Sequence, residues 1–219
     1  MIVKKKLTTP KPDFVPDINP ESNPFKAFWQ FLKADTWQSW VVSLVLLVII
    51  IKFAFFPLLA FTTGTQLPLV VVESCSMYHS SDLESWWDQN KVWYLSRNIS
   101  KEQFESFNLK NGLNKGDILF IVGVKEPKLG DIIIFNAKSA HPIIHRVVTL
   151  NPLGTKGDNG ATNPTQLQPG VSSNGVDETD IKQSQLVGKA AFKLAPLLGW
   201  IKLIFFEPLK PASERGFCK

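Results

Sequence analysis

Between Trp40 and Phe61 the chain reads WVVSLVLLVIIIKFAFFPLLAF, apolar at every helical angle, with Lys52 as its single charge. At 1.5 Å per residue this run makes a helix of roughly 33 Å, enough to cross a hydrocarbon core of about 30 Å. The pattern predicts one transmembrane anchor over residues 37–62. Lys52 falls past the middle of the run, where its flexible stem can carry the ammonium to the far interface. A signal peptide has a shorter apolar segment, lies nearer the first residue and ends in a small-residue cleavage site. Here a polar, Pro-containing stretch comes first, so the segment reads as retained.

On either side the pattern changes. Residues 1–36 carry Pro10, Pro12, Pro16, Pro20 and Pro24, which stop a long helix, and read as a loosely ordered tail. After the span, Leu67–Glu73 (LPLVVVE) is a β-branched strand candidate. Two helices follow: Asp82–Gln89, with Trp86 and Trp87, and Ser100–Phe107, opened by a Ser100…Gln103 capping-box pattern. Beyond Gly112 short apolar runs begin at turns and predict strands at Asp117–Val122, Asp131–Phe135, Ile143–Leu150 and Leu186–Leu194. Residues 63–219 suffice for one domain with its own core, mainly β, with a small helical insertion at about 79–111. The apolar stretch at about 190–209 is too short, and too interrupted by Pro196, Gly199 and Lys202, to span a bilayer. With Trp200, Phe205 and Phe206 it reads as a membrane-facing segment.

Charge then suggests an orientation and removes a function class. Lys plus Arg total 24 against 19 Asp plus Glu, a formal +5, and no basic block exceeds Lys4–Lys6, so nothing marks a nucleic-acid interface. Cations gather before the span (Lys4, Lys5, Lys6, Lys11, Lys26, Lys33), and the first after Lys52 is Lys91. This asymmetry predicts a cytoplasmic N-terminus and an extracytoplasmic domain. That side permits disulfides, but Cys75 and Cys218 sit in unlike contexts and are not expected to pair. Two cysteines alone make neither a disulfide framework nor a zinc site.

Candidate chemistry starts at Glu73-Ser74-Cys75-Ser76-Met77. In an extended chain Ser74 and Ser76 share a face, so one hydroxyl can attack a carbonyl while the other donates to the developing oxyanion. A serine nucleophile needs a base, and the histidines are His79, His141 and His145. His145 lies in a β-branched run between Ile143 and Val147. It is either a core histidine satisfied by backbone or a desolvated base beside Ser76. His141 and His145 have the i, i+4 spacing of a helical metal pair, but Pro142 and the strand pattern oppose a helix, and no carboxylate accompanies them, so no metal is expected. His79 belongs with the helical insertion. Thr155-Lys156-Gly157-Asp158-Asn159 is a turn whose aspartate can cap its own backbone or orient an imidazole.

Taken in order, the membrane span, SCSM, KGDILF, LGDIIIFN, IIHRVV and TKGDN resemble type I signal peptidases, over about residues 40–160 and again at LVGKAAFKLAPLLGWIKL. The histidine of IIHRVV is similar to that of the archaeal and endoplasmic-reticulum branch, where His replaces the Lys base of most bacterial members. The resemblance implies a signal-peptidase-like β-rich catalytic domain behind an N-terminal anchor in the cell membrane. It implies Ser76 as nucleophile, His145 as general base, Ser74 and the Ser76 N–H at the oxyanion hole, and Met77 shaping the substrate pocket. It also implies no cofactor, and as substrates secretory preproteins cut after small residues as they leave the translocation channel.

The sequence departs from the family pattern in four places. Cys75 stands where Gly is common, no Pro closely follows Met77, the stretch from Ser76 to Gly116 is long, and GATNPTQLQPG lacks the second acid usually found after Gly-Asp-Asn. Asp158 is the expected partner of His145, with Asp177 or Asp180 of VDETD in reserve, and a Ser-His dyad without an acid is ranked below Asp158. Two other functions compete: a catalytically inactive, membrane-anchored binding subunit of the same fold, and a self-cleaving regulatory protease with Lys138 or Lys156 as base.

Overall fold

The computed structural model describes residues 23–137, 141–170 and 175–219. Most of the predicted tail, and Lys138, lie outside these. The chain divides into two units after Phe56.

The expected loose tail gives way at its end to a helix, α1 (Pro24–Leu32), whose N-cap Asn23 accepts from the Phe25 N–H at 3.1 Å. Pro24 does not oppose it, because at the first helical position its missing N–H would be unpaired in any case. The long apolar helix α2 (Trp37–Thr63) has 27 residues and a mean hydropathy of 2.8 over its most apolar window. It is one helix long and apolar enough to cross a membrane. Its backbone widens into a π-turn over Ile51–Phe55. Pro57, which lacks an N–H and crowds the carbonyl four residues back, accounts for the loosened ladder just before it.

The second unit is built on a six-stranded antiparallel sheet in the order β1-β2-β6-β3-β4-β5. The strands are β1 (Leu69–Val71), β2 (Ile118–Val122), β3 (Ile132–Phe135), β4 (Ile143–Leu150), β5 (Leu153–Lys156) and β6 (Leu186–Ala195). All four residues of β3 are buried, so apolar side chains are needed on both of its faces. On one face Ile132 and Ile134 pack with Val72, Met77, Leu113, Leu119 and Ile121; on the other Ile133 and Phe135 pack with Val147 and Ile181.

The helical insertion consists of α3 (Leu83–Leu95) and the short α4 (Lys101–Glu105). Asp82 caps α3 through the Ser85 N–H at 3.0 Å, and Ser100 caps α4 through Gln103 N–H at 3.2 Å. α3 runs well past Gln89 because Tyr94 near its end is fully buried against Trp86, Trp87 and Phe104.

A helix the strand-based reading did not foresee, α5 (Trp200–Phe206), follows β6. Leu203 is buried and Trp200 Nε1 donates to Lys115 O at 3.0 Å, while Ile201, Ile204 and Phe205 face outward. Contrary to expectation, Cys75 and Cys218 form a disulfide. The cause is a C-terminal strap that the sequence pattern hides. Lys115 holds Glu207 at 2.7 Å and Glu214 O at 2.6 Å, Gly216 N–H returns to Glu207 at 2.8 Å, and Lys210 reaches Glu73 O at 2.8 Å. The chain end therefore comes back to the segment that carries Ser74 and Ser76.

Candidate active site

Ser74 and Ser76 face each other, Oγ to Oγ at 3.1 Å. The segment that holds them is fixed through its backbone. Asn159 N–H donates to Ser76 O at 2.9 Å, the Asn159 side-chain amide donates to Cys75 O at 2.9 Å, and Leu113 N–H donates to Met77 O at 2.8 Å. Gly157 is required at its position: a Cβ there would lie 2.7 Å from Ser76 O. Met77, expected to shape a substrate pocket, is instead 1 % exposed in the sheet core, where its Sδ accepts from the Asp158 N–H at 3.5 Å.

His145 sits in β4, paired across the ladder with Ile133, and is buried. Its Nδ1 is hydrogen-bonded to Glu178 Oε1. Glu178 is fully buried; Thr155 Oγ1 donates to its Oε1 at 2.9 Å and Leu167 N–H to its Oε2 at 2.8 Å. Burial alone would raise this carboxyl, but the His145 charge and the three donors outweigh it and hold Glu178 below its ordinary value. The carboxylate–imidazole pair leaves Nε2 as the ring's reactive nitrogen. Arg146 pairs with Lys156 at the end of the β4–β5 ladder, and at the next residue, Gly157, the backbone passes so near Ser76 O that no side chain fits between them.

Asp158 does not partner His145. Its carboxylate is paired with Arg146, Nη2 to Oδ2 at 2.7 Å and Nε to Oδ1 at 3.0 Å, and also meets His79 Nε2 at 3.2 Å and Tyr94 OH at 3.3 Å. The reason lies in strand alternation: Arg146 and His145 are neighbours and point to opposite faces of the sheet, and Asp158 lies on the Arg146 face. Burial opposes its charge, yet Arg146 and His79 together hold Asp158 far below the usual carboxylate range. Asp177 bonds the Thr179 backbone and hydroxyl, and Asp180 pairs with Lys182 at the surface, so neither alternative reaches His145. Glu178, between them in VDETD, is the residue sequence reasoning missed; three acids in one loop were its signal. His79 stacks on Trp86 at 3.9 Å and belongs with the insertion.

Beside the serine segment an open groove of about 500 Å³ runs between α3 and the turn after β5. Trp86, Asn90 and Trp93 line one side, Asn159 and Gly160 the other, with Lys156 among them. Lys156 Nζ donates to Gly157 O at 2.8 Å and lies 5.1 Å from the Trp93 ring centre. Burial lowers its ammonium to about 8, with Asp158 and Glu178 acting in the other direction. Among the described residues no group of three His, Cys, Asp or Glu gathers to hold a metal ion. No family model matches the chain, and no curated protein matches it.

Proposed function

We propose that this chain is a membrane-anchored serine endopeptidase of the signal-peptidase type, removing signal peptides from secretory preproteins after small residues. The observation that carries the reading is the buried His145–Glu178 pair, in a fold that also fixes the Ser74/Ser76 segment through Asn159 and Leu113. In this reading Ser76 Oγ attacks the scissile carbonyl as His145 Nε2 takes its proton, and Glu178 stabilises the imidazolium while holding the ring's tautomer. The Ser76 N–H and Ser74 hydroxyl face the developing oxyanion. His145 then returns the proton to the leaving amine, and activates the water that hydrolyses the acyl-enzyme. A signal-peptidase-like fold, a cytoplasmic N-terminus set by the lysines before α2, and delivery of substrate from a translocation channel across the bilayer surface complete the proposal.

The test is cleavage of a reporter preprotein with an Ala-x-Ala site by the full chain in liposomes. Wild type is expected to cleave; Ser76→Ala and His145→Ala are expected to abolish cleavage, and Glu178→Gln to reduce kcat roughly 10⁴-fold. One observation favours a second reading, an inactive binding subunit: Ser76 Oγ is hydrogen-bonded to Ser74. Binding of the preprotein without cleavage, and no labelling of Ser76 by an acylating reagent, would establish that alternative.

A further inference from the structure

We propose that the groove between α3 and the 156–164 turn is a substrate subsite that takes a carboxylate side chain, an aspartate or glutamate of the chain being cleaved. The proposal rests on the peptidase reading above.

Among the described residues Lys156 is the only charged one lining the groove, and it is 1 % exposed, so it forms the floor of the groove rather than a projecting arm. Its ammonium has three N–H donors, of which one goes to Gly157 O. Neither nearby carboxylate is free to neutralise it. Asp158 is committed to Arg146, His79 and Tyr94, and Glu178 to His145, Thr155 and Leu167. Among the described residues Lys156 has no ion-pair partner within 4.0 Å. The walls add what a peptide acid needs. Trp86 and Trp93 supply apolar surface beside the ammonium, which strengthens a charge pair, and Gln89 and Asn90 can bond the neighbouring backbone.

The groove is continuous with the serine segment. Asn159 lines it and bonds both Cys75 O and Ser76 O, and Tyr78 lines it and donates its N–H to Cys75 O at 3.1 Å. An extended substrate lying across Ser76 therefore passes the groove's edge. Lys156 is still charged at neutral pH, and a bound carboxylate favours that charged form.

The experiment compares reporter preproteins differing only by Asp or Asn at single positions around the scissile bond, cut by wild type and by Lys156→Gln, both first shown to be folded by thermal melting. Reading the Asp/Asn ratio of kcat/KM cancels any general loss of activity. At one position wild type is expected to prefer Asp roughly tenfold, about 1.4 kcal/mol, and Lys156→Gln to lose that preference. Gln89→Glu, an exposed change in the groove wall, is expected to reduce it too. No preference at any position, or a preference that survives in Lys156→Gln, overturns the subsite. If wild type cleaves nothing, the peptidase reading fails on its own, and binding decides the subsite. Tighter binding of the Asp peptide than the Asn peptide, followed by tryptophan fluorescence and lost in Lys156→Gln, supports it; equal binding overturns it.

Discussion

At Arg146 all five guanidinium N–H groups find acceptors: Asp158 twice, and the carbonyls of Asn108, Leu109 and Gly130. One buried side chain thus ties the helical insertion, the turn before β3 and the Gly-Asp-Asn turn to each other. Removing the charge of Asp158 would leave that guanidinium buried and uncompensated, which costs about 3–5 kcal/mol. Asp158→Asn is therefore expected to lower the free energy of unfolding by that amount while folded molecules retain cleavage, the opposite of Glu178→Gln. Loss of turnover in Asp158→Asn at temperatures where it remains folded would contradict the division of roles. Both carboxyls are held below their ordinary range, so their stabilisation is complete above roughly pH 4–5 and is lost as pH falls below it. Lys156 changes stability in the same direction with pH, but in a higher window and by relief of a cost rather than gain of a stabilising charge. Its ammonium titrates at about 8 in the fold against an ordinary 10.5, so between those values the unfolded chain binds the extra proton and stability rises with pH. Relative to Lys156→Met, wild type is expected to gain on the order of 3 kcal/mol across that interval, measured by urea titration at each pH. A flat difference would mean the lysine is not desolvated.

At the scale of elements, legibility followed how locally each one is determined. The β-branched run Ile143–Leu150 became β4 with the predicted bounds, because hydrophobic alternation and Pro142 specify a strand without help from elsewhere. The Ser100 cap and the Trp-rich helix could likewise be read from the chain. β5 could not: Leu153-Gly154-Thr155-Lys156 has a single large apolar residue and exists because β4 offers it a partner edge. α5 was obscured by the Gly and Lys that suggested interruption, although Gly199 sits at its N-cap, where a Cβ would lie 2.5 Å from Val71. The candidate site divides in the same way. Ser74, Ser76 and His145 stand in motifs whose residue types carry the chemistry. The acid on His145 arrives from a loop 33 residues downstream, and its identity depends on which face of β4 that loop covers. Sequence spacing favoured the acid next to the turn, and the pleat assigned that acid to Arg146.

At the scale of the whole second unit, the C-terminal strap joins the end of the chain to the residue beside the proposed nucleophile. Lys202 and Lys210 hold Glu73 on one side of Ser74, and the disulfide holds Cys75 on the other. The bond closes a loop of 143 residues, for which the chain-entropy estimate gives a stabilisation of about 5 kcal/mol. Such bonds persist in oxidising compartments, and the proposed function places this unit on that side of the membrane. Cys218→Ser is expected to lower the denaturant midpoint strongly and to steepen the slope, because the unfolded chain expands once the crosslink is gone. Cleavage should fall even where the variant is folded, since Ser76 loses a covalent neighbour that limits its motion. Reduced wild type should behave as Cys218→Ser does, and adding reductant to the variant should change nothing further. A variant with the wild-type midpoint would show that the ion pairs of the strap, Lys115–Glu207 foremost, hold the chain end without the bond. Wild-type turnover in a measurably destabilised variant would separate the two effects: the strap would then stabilise the fold, and the Asn159 contacts alone would position Ser76.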